Sequence, residues 1–367
     1  MASAAASSRF IAFVIPHPYV DALACFREPI KRLAGEGWRV DLYTALSPIH
    51  PAPFFASENV QLLPIDTSRV GAVRLVRALV THRPKYRCLV TVPQWGLHVV
   101  SLAARLAGIP VGCISDELKT AAEATTDSQR RWKARERRAH QRCRFTIALS
   151  KTRADFIREE NALGSTHRIL VVPNAAPGPS VHCRSRYYQD SLGLQGDARV
   201  LLHSGSLWWP AAREFVEAAR AWSSEWVVVF QVRLAAHPEL RLDSARVLFA
   251  DQVLPASLLD YATSSATIGV ALYDTSTINN RLMGTASGKV ALYMKNALPV
   301  IATRGSGLEW IEDERCGICV SSVGEIRQAA DRIWADYDRY VLNVRRCYDA
   351  SLDFTTFFQP VVELLAT

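Results

Sequence analysis

The chain has 367 residues, 49% apolar and 21% charged, enough for two ordinary globular cores of about 150 residues each. Met1 to Ser8 is small and polar, no run approaches ~18 apolar residues, and the eight cysteines are scattered; this speaks against a secretory leader, a membrane-spanning helix and a disulfide framework, and predicts a cytoplasmic protein. The net charge of +8 is uneven: residues 1–175 carry 25 Lys and Arg against 14 Asp and Glu, the remainder 18 against 21, so the first half is suited to an anionic partner.

In chain order, the continuous apolar run Phe10–Ile15 predicts a buried parallel strand, and Ala22–Ala34, closed by Gly35 and Gly37, predicts a helix. Strands at 38–44, 88–92, 111–114 and 145–149 alternate with helices at 97–106 and 128–142, the pattern of βαβ units. A short strand and turn at Val171-Val172-Pro173-Asn174 leads into the Pro-, Gly- and Ser-rich stretch 175–185, the best linker candidate. The alternation then restarts. Strands fall at 200–204, 226–232, 246–250, 267–272 and 299–302, and helices at 211–222, 258–263, 288–295 and 324–344. The tail 354–365 is amphipathic. The fold class is therefore α/β, two Rossmann-like domains in tandem, with 1–175 as an N-terminal domain, 176–345 as a C-terminal domain and 346–367 as a closing helix.

Ligands of open α/β sheets bind beyond the carboxyl ends of the strands, which directs attention to particular loops. Ser287-Gly288-Lys289 opens a predicted helix, where free amides, a hydroxyl and a full positive charge would cradle a diphosphate. Lysine there opposes the helix dipole, so an anion between them explains it better than helix stability does; a Ser cap followed by a solvated Lys is the plainer alternative. Gly305 and Gly307 follow the next strand and allow close backbone approach to a phosphate. Gly205, Ser206, Arg233, Tyr273, Asn280 and Arg281 lie in the other loops at the same sheet edge. In the first half, Asp116 follows a strand and is the candidate general base, with Glu117 second and an N-cap role as the alternative. His17, after the first strand, could face a sugar. Cys316 and Cys319 form a lone CxxC with no second pair and read as two small buried side chains. Two basic segments complete the picture. One contains Arg74 and Arg77, the other Arg131, Lys133, Arg135 and Arg138; either a membrane-surface contact or a solvated face accounts for them. No nucleic-acid module is visible, so no nucleic-acid partner is expected.

The run Lys289-(x3)-Tyr293, Leu298-Pro299-Val300-Ile301-Ala302, Gly307-Leu308-(x2)-Ile311-Glu312-Asp313 and Gly317-Ile318-Cys319-Val320 resembles the donor domain of GT-B glycosyltransferases of the family 4 type. Weaker likenesses at 171–174, 202–207, 272–273 and 353–358 extend it over nearly the whole chain. The resemblance implies two domains facing across a cleft, with the last helix crossing back to the first. It also implies a UDP- or GDP-type nucleotide sugar as co-substrate, no other cofactor and no metal; no DxD motif is present. The acceptor would be a glycan or lipid-linked glycan in bacterial surface-polysaccharide assembly, reached from the inner face of the cytoplasmic membrane. The family's usual ribose-holding Glu is replaced by Leu292, and Gly284 stands where many members have a second carboxylate. That departure is more similar to divergent enzymes of the xanthan glucuronosyltransferase type, whose base occupies a position like Asp116. A non-hydrolysing sugar-nucleotide epimerase shares the two-domain plan, though the basic first half disfavours it. Leu292 motivates an inactive binding or scaffold protein, though Lys289 and Asp116 speak against it.

Overall fold

A computed structural model describes residues 9–47, 52–82, 84–195, 197–205, 207, 210–222, 225–232, 244, 246–252 and 254–367. Ser206 and Arg233 lie outside them. The chain forms two compact units. Unit 1 holds the chain up to Pro173 together with Phe354–Thr367, and unit 2 holds Asn174–Asp353.

Unit 1 is a seven-stranded parallel sheet of β1 (Phe10–Ile15), β2 (Arg39–Ala45), β3 (Val60–Ile65), β4 (Cys88–Thr91), β5 (Val111–Ser115), β6 (Phe145–Ala148) and β7 (Arg168–Val171), in the order β3-β2-β1-β4-β5-β6-β7. The inner strands are buried nearly throughout because helices cover both faces; Ile11 to Ile15 are all buried and apolar. Three helices lie side by side on one face: α2 (Arg69–Thr81), α3 (Trp95–Ala107) and α4 (Asp127–His140), sharing a core with Leu75, Leu79, Leu97, Val100 and Ala139. Ser68 caps α2, and Thr126 with Gln129 forms a reciprocal capping box on α4. Also in unit 1 are α1 (Ala24–Gly35) and α5 (Lys151–Glu160). The strand β3 and the helix α5 are additions to the elements expected from the sequence.

The chain's last helix, Phe354–Ala366, belongs to unit 1 and packs on α1 and β7. The guanidinium of Arg87 fastens its end by donating to the Leu365 and Ala366 carbonyls at 3.0 and 2.9 Å.

Unit 2 repeats the plan with six parallel strands: β8 (Arg199–Ser204), β9 (Trp226–Gln231), β10 (Val247–Ala250), β11 (Ile268–Ala271), β12 (Val300–Thr303) and β13 (Gly317–Val320), ordered β10-β9-β8-β11-β12-β13. The helix over Gly288–Lys295 forms with the predicted bounds. The single helix expected over 324–344 is instead two, Ile326–Ala335 and Tyr337–Ser351, because Asp336 leaves the helical region at φ −133° and ψ 39°.

The Pro- and Gly-rich stretch after residue 174 is no free linker. Its carbonyls at Pro177, Gly178 and Pro179 accept from the Lys295 ammonium at 2.7, 2.9 and 2.7 Å. The amides of Gly178 and Ser180 donate to Asp353 and Asp349 at 2.7 and 2.6 Å. Side chains thus satisfy a backbone that forms no ladder.

Candidate functional site

In each unit the strand order reverses once, between β1 and β4 and between β8 and β11, and such switch points are where open sheets bind ligands. In unit 2 the reversal is held open by Tyr293. Its hydroxyl accepts from the Ser204 amide at 2.8 Å and donates to the Val270 carbonyl at 3.2 Å. Its ring lies so close over Gly269 that a Cβ there would fall 2.2 Å from ring atoms, which explains the glycine inside a strand.

One turn before Tyr293, Lys289 stands in the first turn of its helix, and long helical side chains lean toward the N-terminus. Its ammonium therefore comes to rest beside Gly205, where a Cβ would sit 3.6 Å from Nζ, and 5.0 Å from the centroid of the Tyr273 ring. Gly205 adopts φ +122°, open to glycine alone in practice. No carboxylate or other hydrogen-bonding partner meets the ammonium among the described residues. Desolvation without a counter-charge pushes its pKa down to about 8. The amides of Gly288 and Lys289, the first two of the helix, also have no acceptor among the described residues. The group is a half-buried cation next to free donors, which is what an anion requires.

The remaining donor-side residues build the walls of this site. Ser287 caps the helix by accepting from the Val290 amide at 3.1 Å and pairs with the Tyr273 hydroxyl at 2.6 Å. Its hydroxyl thus ties the helix start to Tyr273. Asn280 donates to the Asp274 carbonyl at 2.7 Å, and Arg281 to the carbonyls of Thr275 and Ser276 at 3.1 and 3.0 Å, so both brace the loop after β11. Gly307 is a glycine because a Cβ would fall 2.7 Å from the Arg281 carbonyl oxygen at φ +72°. The Gly305 amide donates to the Glu309 carboxylate. Leu292 is half-buried.

In unit 1 the loops after β1 and β5 bring together two residues 99 positions apart. His17 Nε2 lies 3.8 Å from Asp116 Oδ2, and the Asp116 side chain is only 14% exposed. Burial, then the neighbouring Glu117 charge, pushes the Asp116 carboxyl up to about 7. Burial lowers the His17 pKa, which disfavours its charged form. Its ring stacks near Tyr19 and Phe26, and its carbonyl accepts from Thr44 at 2.6 Å. Glu117 is exposed and does not share the pocket's shielding.

On the face made by α2, α3 and α4, Arg74, Arg77, Arg131, Arg135 and Arg138 are exposed. Val70, Val73, Leu102, Leu106 and Trp132 are exposed on the same three helices, and the Arg135 guanidinium lies 5.3 Å over the Trp132 ring. Lys133 departs from the expectation. It is turned inward, 2.9 Å from Glu136 and 3.9 Å from Glu160, because it falls on the buried stripe with Glu136 and His140.

Residues 217–359 match the family profile described as Glucosyltransferase 3-like, C-terminal domain. No curated protein matches the sequence. Among solved structures, sucrose-phosphate synthase from Thermosynechococcus elongatus is similar at a TM-score of 0.73 and 17% identity, covering 97% of this chain and 98% of its own. HepE from Anabaena, solved with UDP and glucose, gives 0.68 and 14%, covering 97% and 99%. WaaG, a glycosyltransferase involved in lipopolysaccharide biosynthesis, gives 0.66 and 15%, again covering 97% and 99%.

The fold is GT-B. Within this GT-B chain, reasoning from sequence did not find two features. Arg153 is fully buried in α5 and donates to the Asp116 carbonyl at 2.7 Å. The Cys316 thiol, in turn, pairs with Cys347 from the helix Tyr337–Ser351, while its CxxC mate Cys319 contacts the Leu308 carbonyl at 3.6 Å. A cation in the first turn of a helix is the one signal that could have marked Arg153, as it did Lys289.

Proposed function

We propose that this chain is a metal-independent glycosyltransferase that moves a sugar from a nucleotide-diphosphate donor to a glycan or lipid-linked glycan of a bacterial surface polysaccharide. The observation that carries the reading is Lys289, a half-buried cation at a helix start with no counter-charge among the described residues. A diphosphate supplies that charge, and it gains negative charge as the sugar's C1–O bond breaks, so the site favours the transition state over the ground state. The UDP and UDP-glucose bound by HepE fit this chemistry.

On the acceptor side, Asp116 takes the proton of the attacking hydroxyl. An ordinary carboxylate is too weak a base at neutral pH; burial moves Asp116 close to the working pH, where a general base is most effective. The His17 ring stands beside it, 3.8 Å from the carboxyl. The exposed arginines and apolar side chains of α2, α3 and α4 are suited to an anionic lipid surface, with each Arg contributing about 1 kcal/mol near such a membrane. On this reading the protein works at the inner face of the cytoplasmic membrane, where a lipid-linked acceptor resides.

The direct test is a thermal-shift panel of UDP-, GDP-, CMP- and TDP-sugars, followed by transfer assays with the hits. Stabilisation by at least one nucleotide sugar, weakened in Lys289→Ala, is the expected result. A panel with no shift refutes the donor site.

A further inference from the structure

Unit 1 buries a second full charge close to Asp116. Arg153 is 1% exposed, although it lies in the first turn of α5, where the helix dipole disfavours a cation. The chain brings it there through neighbouring strand ends. Ser115 on β5 pairs with Ala148 on β6, so the loops that follow, carrying Asp116 and Ser150, run side by side. Ser150 then caps α5 by accepting from the Arg153 amide at 3.2 Å, which fixes where the arginine side chain starts.

We propose that Arg153 is the positioning residue for Asp116: its buried guanidinium pins the Asp116 main chain through the 2.7 Å bond from Nη1 to the carbonyl oxygen, and so fixes where the carboxylate stands to accept a proton. The inference rests on the reading of Asp116 as the base. The groups that share the Asp116 field are His17 and Tyr19 from the loop after β1, Cys25 from α1, Cys113 from β5, Glu117 beside it and Arg153 from α5. Against burial and Glu117, which raise the Asp116 carboxyl, stand the backbone hydrogen bonds at Asp116 and Glu117 and then the Arg153 charge, the one cation among these groups. Loss of that cation raises the carboxyl further and leaves less carboxylate to accept a proton at neutral pH.

The Asp116 titration can be read without any activity assay. In protein labelled with 13C at the Asp carboxyl carbons, the Asp116 resonance is the one lost in Asp116→Asn. In Arg153→Met its midpoint is expected to rise by about one pH unit, a tenfold change in ionisation constant. In Arg153→Lys, which keeps a cation on the same helix, at least half of that shift should be recovered. With a donor and acceptor in hand, Arg153→Met should lower kcat with the donor KM unchanged, and its pH profile should move up with the NMR midpoint. A midpoint equal to wild type in folded Met and Lys variants overturns the proposal. So does an Arg153→Lys chain that cannot fold, since Arg153 would then be a core support. An Asp116→Asn chain that still transfers sugar removes the base assignment but leaves the titration result standing, so the two failures are distinguishable.

Discussion

The two units carry the same strand order and opposite charges at the point where it reverses. Unit 1 buries a carboxylate at Asp116 and unit 2 half-buries an ammonium at Lys289, and desolvation moves both toward neutrality, Asp116 up to about 7 and Lys289 down to about 8. The surroundings differ in a telling way. Asp116 has local company, with His17 at 3.8 Å and Arg153 on its carbonyl, whereas Lys289 has an aromatic face and a glycine but no anion among the described residues. Under the proposed function this difference is expected: a base must work before and after each turnover, so its environment is built in, whereas a phosphate clamp is completed by the ligand and until then stays undercompensated.

The sharpest way to break the comparison is Asp116→Asn. Transfer should fall by about 10²–10⁴-fold while nucleotide affinity holds, measured by initial rates and calorimetry. Because the folded carboxyl titrates above its unfolded value, its stabilising effect is complete at acid pH and is lost as pH rises through about 7. Asp116→Asn should therefore unfold later than wild type at pH 8, by on the order of a few kcal/mol in urea. Next comes Lys289→Met, expected to weaken nucleotide-diphosphate binding about 10–100-fold, the worth of a charge-assisted contact. Its sign on stability follows from a lowered amine: the native cation costs stability below about pH 8, so the Met variant should be the more stable apo protein at pH 7.

The two titrations together bound a pH window. kcat/KM should rise through about pH 7 as Asp116 ionises and fall above about pH 8 as Lys289 loses its proton, about tenfold per pH unit on each limb. Asp116→Asn should remove the acid limb and Lys289→Met the alkaline one; a profile that keeps both limbs in both variants dissolves the comparison. The smallest effect is expected at the surface. Reversing Arg131, Arg135 and Arg138 to Glu should weaken sedimentation with anionic vesicles by about 1 kcal/mol per residue and leave neutral vesicles unaffected. Reversing Lys133 should instead damage the fold, since it pairs inward with Glu136.

Much of this was legible because buried parallel strands write themselves as unbroken apolar runs, and because Ser287 and Gly288 mark a helix start plainly. The edge strand Val60–Ile65 was hidden because none of its residues is fully buried, Gln61 faces water and Pro64 interrupts it. The helix Lys151–Glu160 was hidden because only Arg153, Ala154 and Ile157 turn inward, too few for a visible stripe. Asp116 and Lys289 could be picked individually by their places after a strand and at a helix start. That His17 stands beside Asp116, that Arg153 lies beneath it and that Lys133 turns away are facts of packing between segments far apart in the chain, and no local pattern encodes them.

Tyr293 carries a consequence of its own. Parallel neighbours left to themselves would go on zipping, and between β8 and β11 the paired register stops after Ile268–Leu201 and Gly269–Leu202. The phenol is a doorstop in that seam, accepting from one strand and donating to the other where they would have bonded each other. The seam beside Lys289 is thus kept apart from within by a residue one helical turn away from the cation.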